Sequence, residues 1–99
     1  MITTRYRFYV GLTDKDKQPV NPVRYFHAMD AVHKAYTCFE ADGVWKGNHE
    51  KSLVFEMVDS EGKIDDQIMR ATVGFLELAG NQETVMVTIE RAVELLFFS

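Results

Sequence analysis

Cysteine is almost missing. The single Cys38 excludes an internal disulfide and a multi-cysteine metal site in this chain of 99 residues. Positive charge is in short supply as well: 11 Lys and Arg stand against 15 Asp and Glu, a formal net charge of -4. Sequence-independent binding to nucleic acid or to acidic membranes needs clustered cations, so neither direct nucleic-acid binding nor membrane attachment is expected. No apolar run approaches the ~18 residues of a membrane-spanning helix. The opening Met1-Ile2-Thr3-Thr4-Arg5-Tyr6-Arg7 has no apolar stretch of the secretory-leader kind, which makes a cytoplasmic location the expectation. The remaining composition, 46% hydrophobic and 26% charged, supports one folded domain over residues 1–99. A chain this short buries only about 60–70% of its unfolded surface, so association would add stability.

Residues 4–12 alternate Tyr6, Phe8 and Val10 with Arg5, Arg7 and Tyr9, the period-two pattern of a strand. Asn21-Pro22 is a helix start, because Asn caps free N–H groups and Pro suits the first helical position. Tyr25, Met29, Val32 and Tyr36 follow at helical spacing on one face, with His27, Asp30 and Lys34 opposite. Residues 37–46 read as a strand broken by a bulge at Gly43, Gly47-Asn48 as a turn, and residues 50–58 as the second strand of a hairpin. A second helix is predicted from Ile64 to Ala79, with a core stripe of Ile64, Ile68, Ala71, Phe75 and Leu78. Asp65 and Asp66 suit the dipole of its first turn, and Gly80-Asn81 ends it. Residues 83–90 form the last main strand, and residues 93–98 a further one.

The order β-α-β-β-α-β predicts an α+β, ferredoxin-like fold: one antiparallel sheet, two helices on one face, and an extra C-terminal strand. The inner face then holds Tyr6, Phe8, Val10, Leu53, Phe55, Met57, Val85, Val87 and Ile89. The outer face holds Arg5, Arg7, Tyr9, Ser52, Val54, Glu56, Met86, Thr88 and Glu90. Apolar residues are left over: Met69, Val73 and Leu76 form a second edge on the second helix, and the tail ends Leu95-Leu96-Phe97-Phe98. Contiguous apolar surface usually marks an interface, so these residues are the expected contacts of a homo-oligomer, a C2 dimer by default.

Chemical motifs are thin. His27 and His33 are six apart and face different directions on a helix, and no spacing joins His33, Cys38, His49 and Glu50 into a metal site. Cys38, between Thr37 and Phe39 in a strand, suits a small buried hydrophobe better than a thiolate. No catalytic constellation, metal or cofactor is therefore expected. Acylphosphatases share this size and element order, but a glycine-rich phosphate cradle is replaced by Gly11-Leu12-Thr13-Asp14-Lys15, whose carboxylate opposes an anion. RNA-recognition domains place base-stacking aromatics on the central strands, whereas here Ser52, Val54 and Glu56 occupy that position. The most individual segment is Gly43 to Ser52, which contains the only tryptophan, Trp45, beside Lys46 at a hairpin end. Trp is enriched in binding hot spots. A ligand pocket would be built from Trp45, Lys46, Asn48 and His49, approached by Arg5, Arg7 and Tyr9 from a neighbouring strand or subunit.

Three segments carry a resemblance: Phe8 to Leu12, the hairpin Gly43 to Ser52, and Asn81-Gln82-Glu83-Thr84-Val85. In these the chain resembles small uncharacterised α+β proteins encoded by bacteriophages and mobile elements. The resemblance implies a compact accessory protein working in a host cytoplasm, one that antagonises a bacterial defence system. Surplus apolar surface, negative charge and no catalytic motif together give the first expectation: a non-enzymatic inhibitor that occupies a protein partner's surface. The alternatives are a small-molecule protein that binds or sequesters a nucleotide, with arginines for phosphate and aromatics for stacking, and a dimeric α+β-barrel enzyme.

Overall fold

The computed structural model describes residues 2–98, apart from the side chains of Ile2 and Trp45. Four strands and two helices follow one another as β1 (Ile2–Gly11), α1 (Pro22–Val32), β2 (Thr37–Trp45), β3 (Asn48–Asp59), α2 (Asp66–Gly80) and β4 (Met86–Glu94). The strands form one antiparallel sheet in the order β2-β3-β1-β4, the ferredoxin-like arrangement. Tyr6, Phe8 and Val10 pair in register with Met57, Phe55 and Leu53, and all six are buried. Tyr25 and Met29 of α1 and Leu76 of α2 close the same core. Among the described residues no helix is long and apolar enough to cross a membrane.

Asn21 caps α1 by accepting from the Val23 N–H at 3.1 Å, with Pro22 in the first turn. The helix stops at Val32, four residues short of the expected Tyr36, because His33 turns extended at φ -123°, ψ 142°. Tyr36 still joins the core, by a different route. The chain folds it back so that its ring lies 5.5 Å from Phe55 and 6.4 Å from Phe26.

The orientation of α2 is a correction. Leu76 and Thr72 are buried, and Met69 and Val73 pack against the core. Ile64 still packs against the core and Ile68 is half-buried, but Ala71 is exposed, Phe75 45% exposed and Leu78 82% exposed, so the C-terminal part of the stripe expected inside faces out. Two local reasons fix this rotation. Thr72 meets His33, just past the end of α1, at 2.8 Å, and Gly80 lies so close to the buried Tyr25 ring that a Cβ there would collide with its hydroxyl.

No bulge forms at Gly43: the β2–β3 ladder runs unbroken from Thr37↔Glu56 to Trp45↔Asn48. The hairpin turns on Lys46 and Gly47 at φ 50° and 79°, the positive values that a two-residue loop needs. The irregularity sits in β4, where Ala92 at φ 60° is the extra residue between Arg91 (opposite Thr4) and Val93 (opposite Thr3). Past that bulge the strand continues to Glu94, and Leu95–Phe98 have no regular structure.

Candidate functional site

The outer face of the sheet splits into two regions. One is a charged cluster. Arg7 Nε donates to Glu56 Oε1 at 2.8 Å, and its Nη1 lies 3.8 Å from Glu90 Oε1. Arg5 Nε is 3.1 Å from Glu56 Oε1 but out of line for a hydrogen bond, while Arg5 Nη1 reaches Glu90 Oε2 at 3.5 Å. The hydrogen bond that Arg7 donates to Glu56 raises the Arg7 pKa further, against a smaller desolvation. Two cations are thus matched by two carboxylates, which leaves little net charge for an incoming phosphate.

The second region is a row across the four strands, Phe39, Val54, Tyr9 and Met86, set by the registers Phe39↔Val54, Val54↔Tyr9 and Tyr9↔Met86. Val54 is wholly buried although it lies on the outer face. Beside Tyr9 and Met86 opens a groove of about 450 Å³, walled also by Gly11, Glu50, Gln82, Thr84 and Val85. A second hollow of about 570 Å³, lined by Thr13, Lys17, Asn48, His49, Glu50 and Lys51, adjoins it. Glu50 belongs to both, so one carboxylate stands where they meet.

Local structure explains why these residues converge. Asn81 ends α2 in the left-handed region at φ 48°, ψ 47°, and the Gln82 N–H bonds back to Glu77 O at 2.9 Å. This turn swings Gln82 across the end of β1. Its Nε2 faces Gly11 O (3.2 Å), Thr13 O (3.0 Å), Gly80 O (3.2 Å) and Tyr25 Oη (3.1 Å). The Tyr25 hydroxyl donates in turn to Gly11 O at 2.6 Å, and burial pushes its pKa to about 12. The end of the sheet is therefore locked by a buried phenol, an amide and two glycines.

Of the residues expected to bind a ligand, Tyr9, Asn48 and His49 are brought to this joined groove. Arg7 does not line it and meets it only through the side chain of Tyr9, and Arg5 is remote. Arg5 pairs with Val58, ten residues along β3 from Asn48, which is roughly 33 Å at strand spacing. Lys46 sits in the hairpin turn, and the Trp45 side chain lies outside the described residues. Of the expected interface residues, Leu76 is wholly buried, while Met69 and Val73 are partly buried where they pack against the core. Leu95 is half-buried, whereas Leu96, Phe97 and Phe98 are exposed. Glu50, Gln82, Thr84 and Met86 also wall the groove and were not among the residues expected there. Glu50 and Gln82 do lie within the hairpin and Asn81–Val85 segments that carry the phage-protein resemblance, and that was the available signal. Among the described residues no three His, Cys, Asp or Glu side chains come together as metal ligands. Cys38 has its pKa raised by burial and by Glu40.

No protein-family model matches the sequence. No curated protein matches it either. Among solved structures the chain is similar to a phage SAM lyase in complex with S-methyl-5'-thioadenosine, at TM-score 0.69 and 20% identity, covering 91% of this chain and 81% of that one. It is also similar to a phage SAM lyase in the apo state, at TM-score 0.63 and 20% identity over 90% and 80% of the two chains. These likenesses establish a shared fold with a phage-encoded protein. They also overturn the expectation of a non-enzymatic inhibitor acting on a protein partner: both of these similar chains are a lyase, one of them in complex with a small molecule.

Proposed function

We propose that this protein binds S-adenosylmethionine in the groove beside Tyr9 and cleaves it to S-methyl-5'-thioadenosine. The observation that carries the proposal is the placement of Glu50. An anionic carboxylate stands at the junction of two hollows, next to the aromatic ring of Tyr9 and the thioether of Met86. S-adenosylmethionine presents a matching set of groups: a purine to stack, a sulfonium cation and an ammonium to meet a carboxylate. The net charge of -4 draws such a cationic ligand and repels a nucleoside phosphate. The fold shared with the lyase bound to S-methyl-5'-thioadenosine supports the same assignment.

The chemistry asks little of the protein. As an oxygen of the substrate's own carboxylate bonds to the carbon next to the sulfonium, the bond from that carbon to sulfur breaks and its electron pair stays on sulfur, so the amino-acid chain leaves as a cyclic lactone that keeps its ammonium. The positive charge on sulfur disappears, and neutral S-methyl-5'-thioadenosine is the leaving group. A lyase does this without water, so the groove's task is to hold the substrate in one reactive conformation and keep solvent away. Glu50 holds the cationic end, and the Tyr9–Met86 row holds the base.

The test is release of S-methyl-5'-thioadenosine from S-adenosylmethionine, followed by liquid chromatography. The wild type is expected to release it. Glu50→Gln, which keeps the shape and removes the charge, should lower kcat/KM by about 10²-fold or more, the range for losing an aligned charged partner. Wild-type protein that releases none from a folded sample overturns the proposal.

A further inference from the structure

A glutamine side chain normally offers a ligand both a donor and an acceptor. Gln82 does not. All four neighbours of its Nε2 are acceptors: three backbone carbonyls, and a Tyr25 hydroxyl whose own hydrogen is committed to Gly11 O. This surplus of acceptors fixes which end of the amide is nitrogen and turns both of its N–H groups inward. Among the described residues Oε1 receives no hydrogen bond, and it lies over Gly11, where an added Cβ would meet it at 3.2 Å. Gly11 and Gln82 both wall the groove beside Tyr9.

We infer that Gln82 is a specificity-determining residue: a one-way acceptor that selects a purine carrying a 6-amino group over one carrying a 6-oxo group. The inference rests on the groove being a nucleoside site, as proposed above, and adds the residue by which the base is read. An amino group at that position donates to Oε1. An oxo group sets oxygen against oxygen, and Gln82 cannot turn its amide over, because four acceptors would then face an acceptor. A freely rotating glutamine would read either base, whereas this one reads a single base.

The experiment compares binding of S-methyl-5'-thioadenosine with that of its 6-oxo counterpart, S-methyl-5'-thioinosine, by isothermal titration calorimetry on the intact protein. The amino form is expected to bind at least about tenfold more tightly, the scale of one hydrogen bond gained against one acceptor left unpaired. Gln82→Met should bring the two affinities within about threefold of each other, with circular dichroism to verify folding. Gly11→Ala, whose Cβ presses on the Gln82 amide, provides a second variant expected to narrow the preference. Equal binding of the two ligands by the wild type overturns the role of Gln82 and leaves the nucleoside site standing. A preference that survives in folded Gln82→Met overturns it as well. Absence of binding by either ligand overturns both the role and the site beneath it.

Discussion

His33 shows how one side chain ties stability to pH. Its Nε2 lies 2.8 Å from Thr72 Oγ1, and the Thr72 hydroxyl donates its own hydrogen to Ile68 O at 2.8 Å. Thr72 can therefore only accept from His33, which fixes the neutral ring with its proton on Nε2. Burial lowers the His33 pKa below its ordinary value of 6.5. Between the folded pKa and 6.5 the unfolded chain binds a proton that the folded chain refuses, so stability is complete above pH 6.5 and falls as the solution is acidified. His33→Asn should flatten that slope in urea titrations between pH 7 and 5. A second loss belongs to lower pH. Asp59 is partly desolvated, which raises its pKa. Hydrogen bonds from the backbone N–H groups of Ile64, Lys63 and Glu61 outweigh this and hold it below 3.8. Its contribution is present above 3.8 and disappears as pH falls through the folded value.

The rotation of α2 is the point at which element-scale reasoning from hydropathy fails. The helix has two apolar edges, Ala71-Phe75-Leu78 and Met69-Val73-Leu76, and the first has as strong a claim to the core on side-chain character alone. The choice is made by two residues that a hydropathy pattern scores as unsuited to a core. Thr72 is buried because His33 supplies its partner, and Gly80 is buried because only a residue without Cβ fits against Tyr25. Both contacts join residues distant in sequence, so no local pattern contains them. The orientation makes opposite expectations for two neighbouring leucines. Leu76→Ala should cost about 2–5 kcal/mol in urea unfolding, as for other buried leucines. Leu78→Ala, at 82% exposure, should stay within about 0.5 kcal/mol of wild type. The reverse ranking would contradict the helix orientation. Strand alternation was easier to read, since Tyr6, Phe8 and Val10 face partners of matching character in unbroken register.

At the scale of the molecule, element order and sheet alternation were enough to specify the ferredoxin-like topology, because each strand and helix carries its own signal. The site is legible only in part. Tyr9, Asn48 and His49 belong to the joined groove, but Arg5 and Arg7 attract attention as free cations only until Glu56 and Glu90 are placed beside them by cross-strand pairing. Glu50 and Gln82 are 32 positions apart in sequence and meet only because β3 and the approach to β4 both flank the end of β1. The central claim is that this end of the sheet, with Glu50 at its middle, is where a nucleoside binds. The most direct test is to add S-methyl-5'-thioadenosine to isotope-labelled protein and map the amide chemical-shift changes by nuclear magnetic resonance. Binding at this site predicts the largest shifts at Tyr9, Gly11, Glu50 and Gln82 to Met86, with Arg5, Val58 and Glu90 little moved. Shifts centred on the arginine–glutamate cluster, or none anywhere, would contradict it.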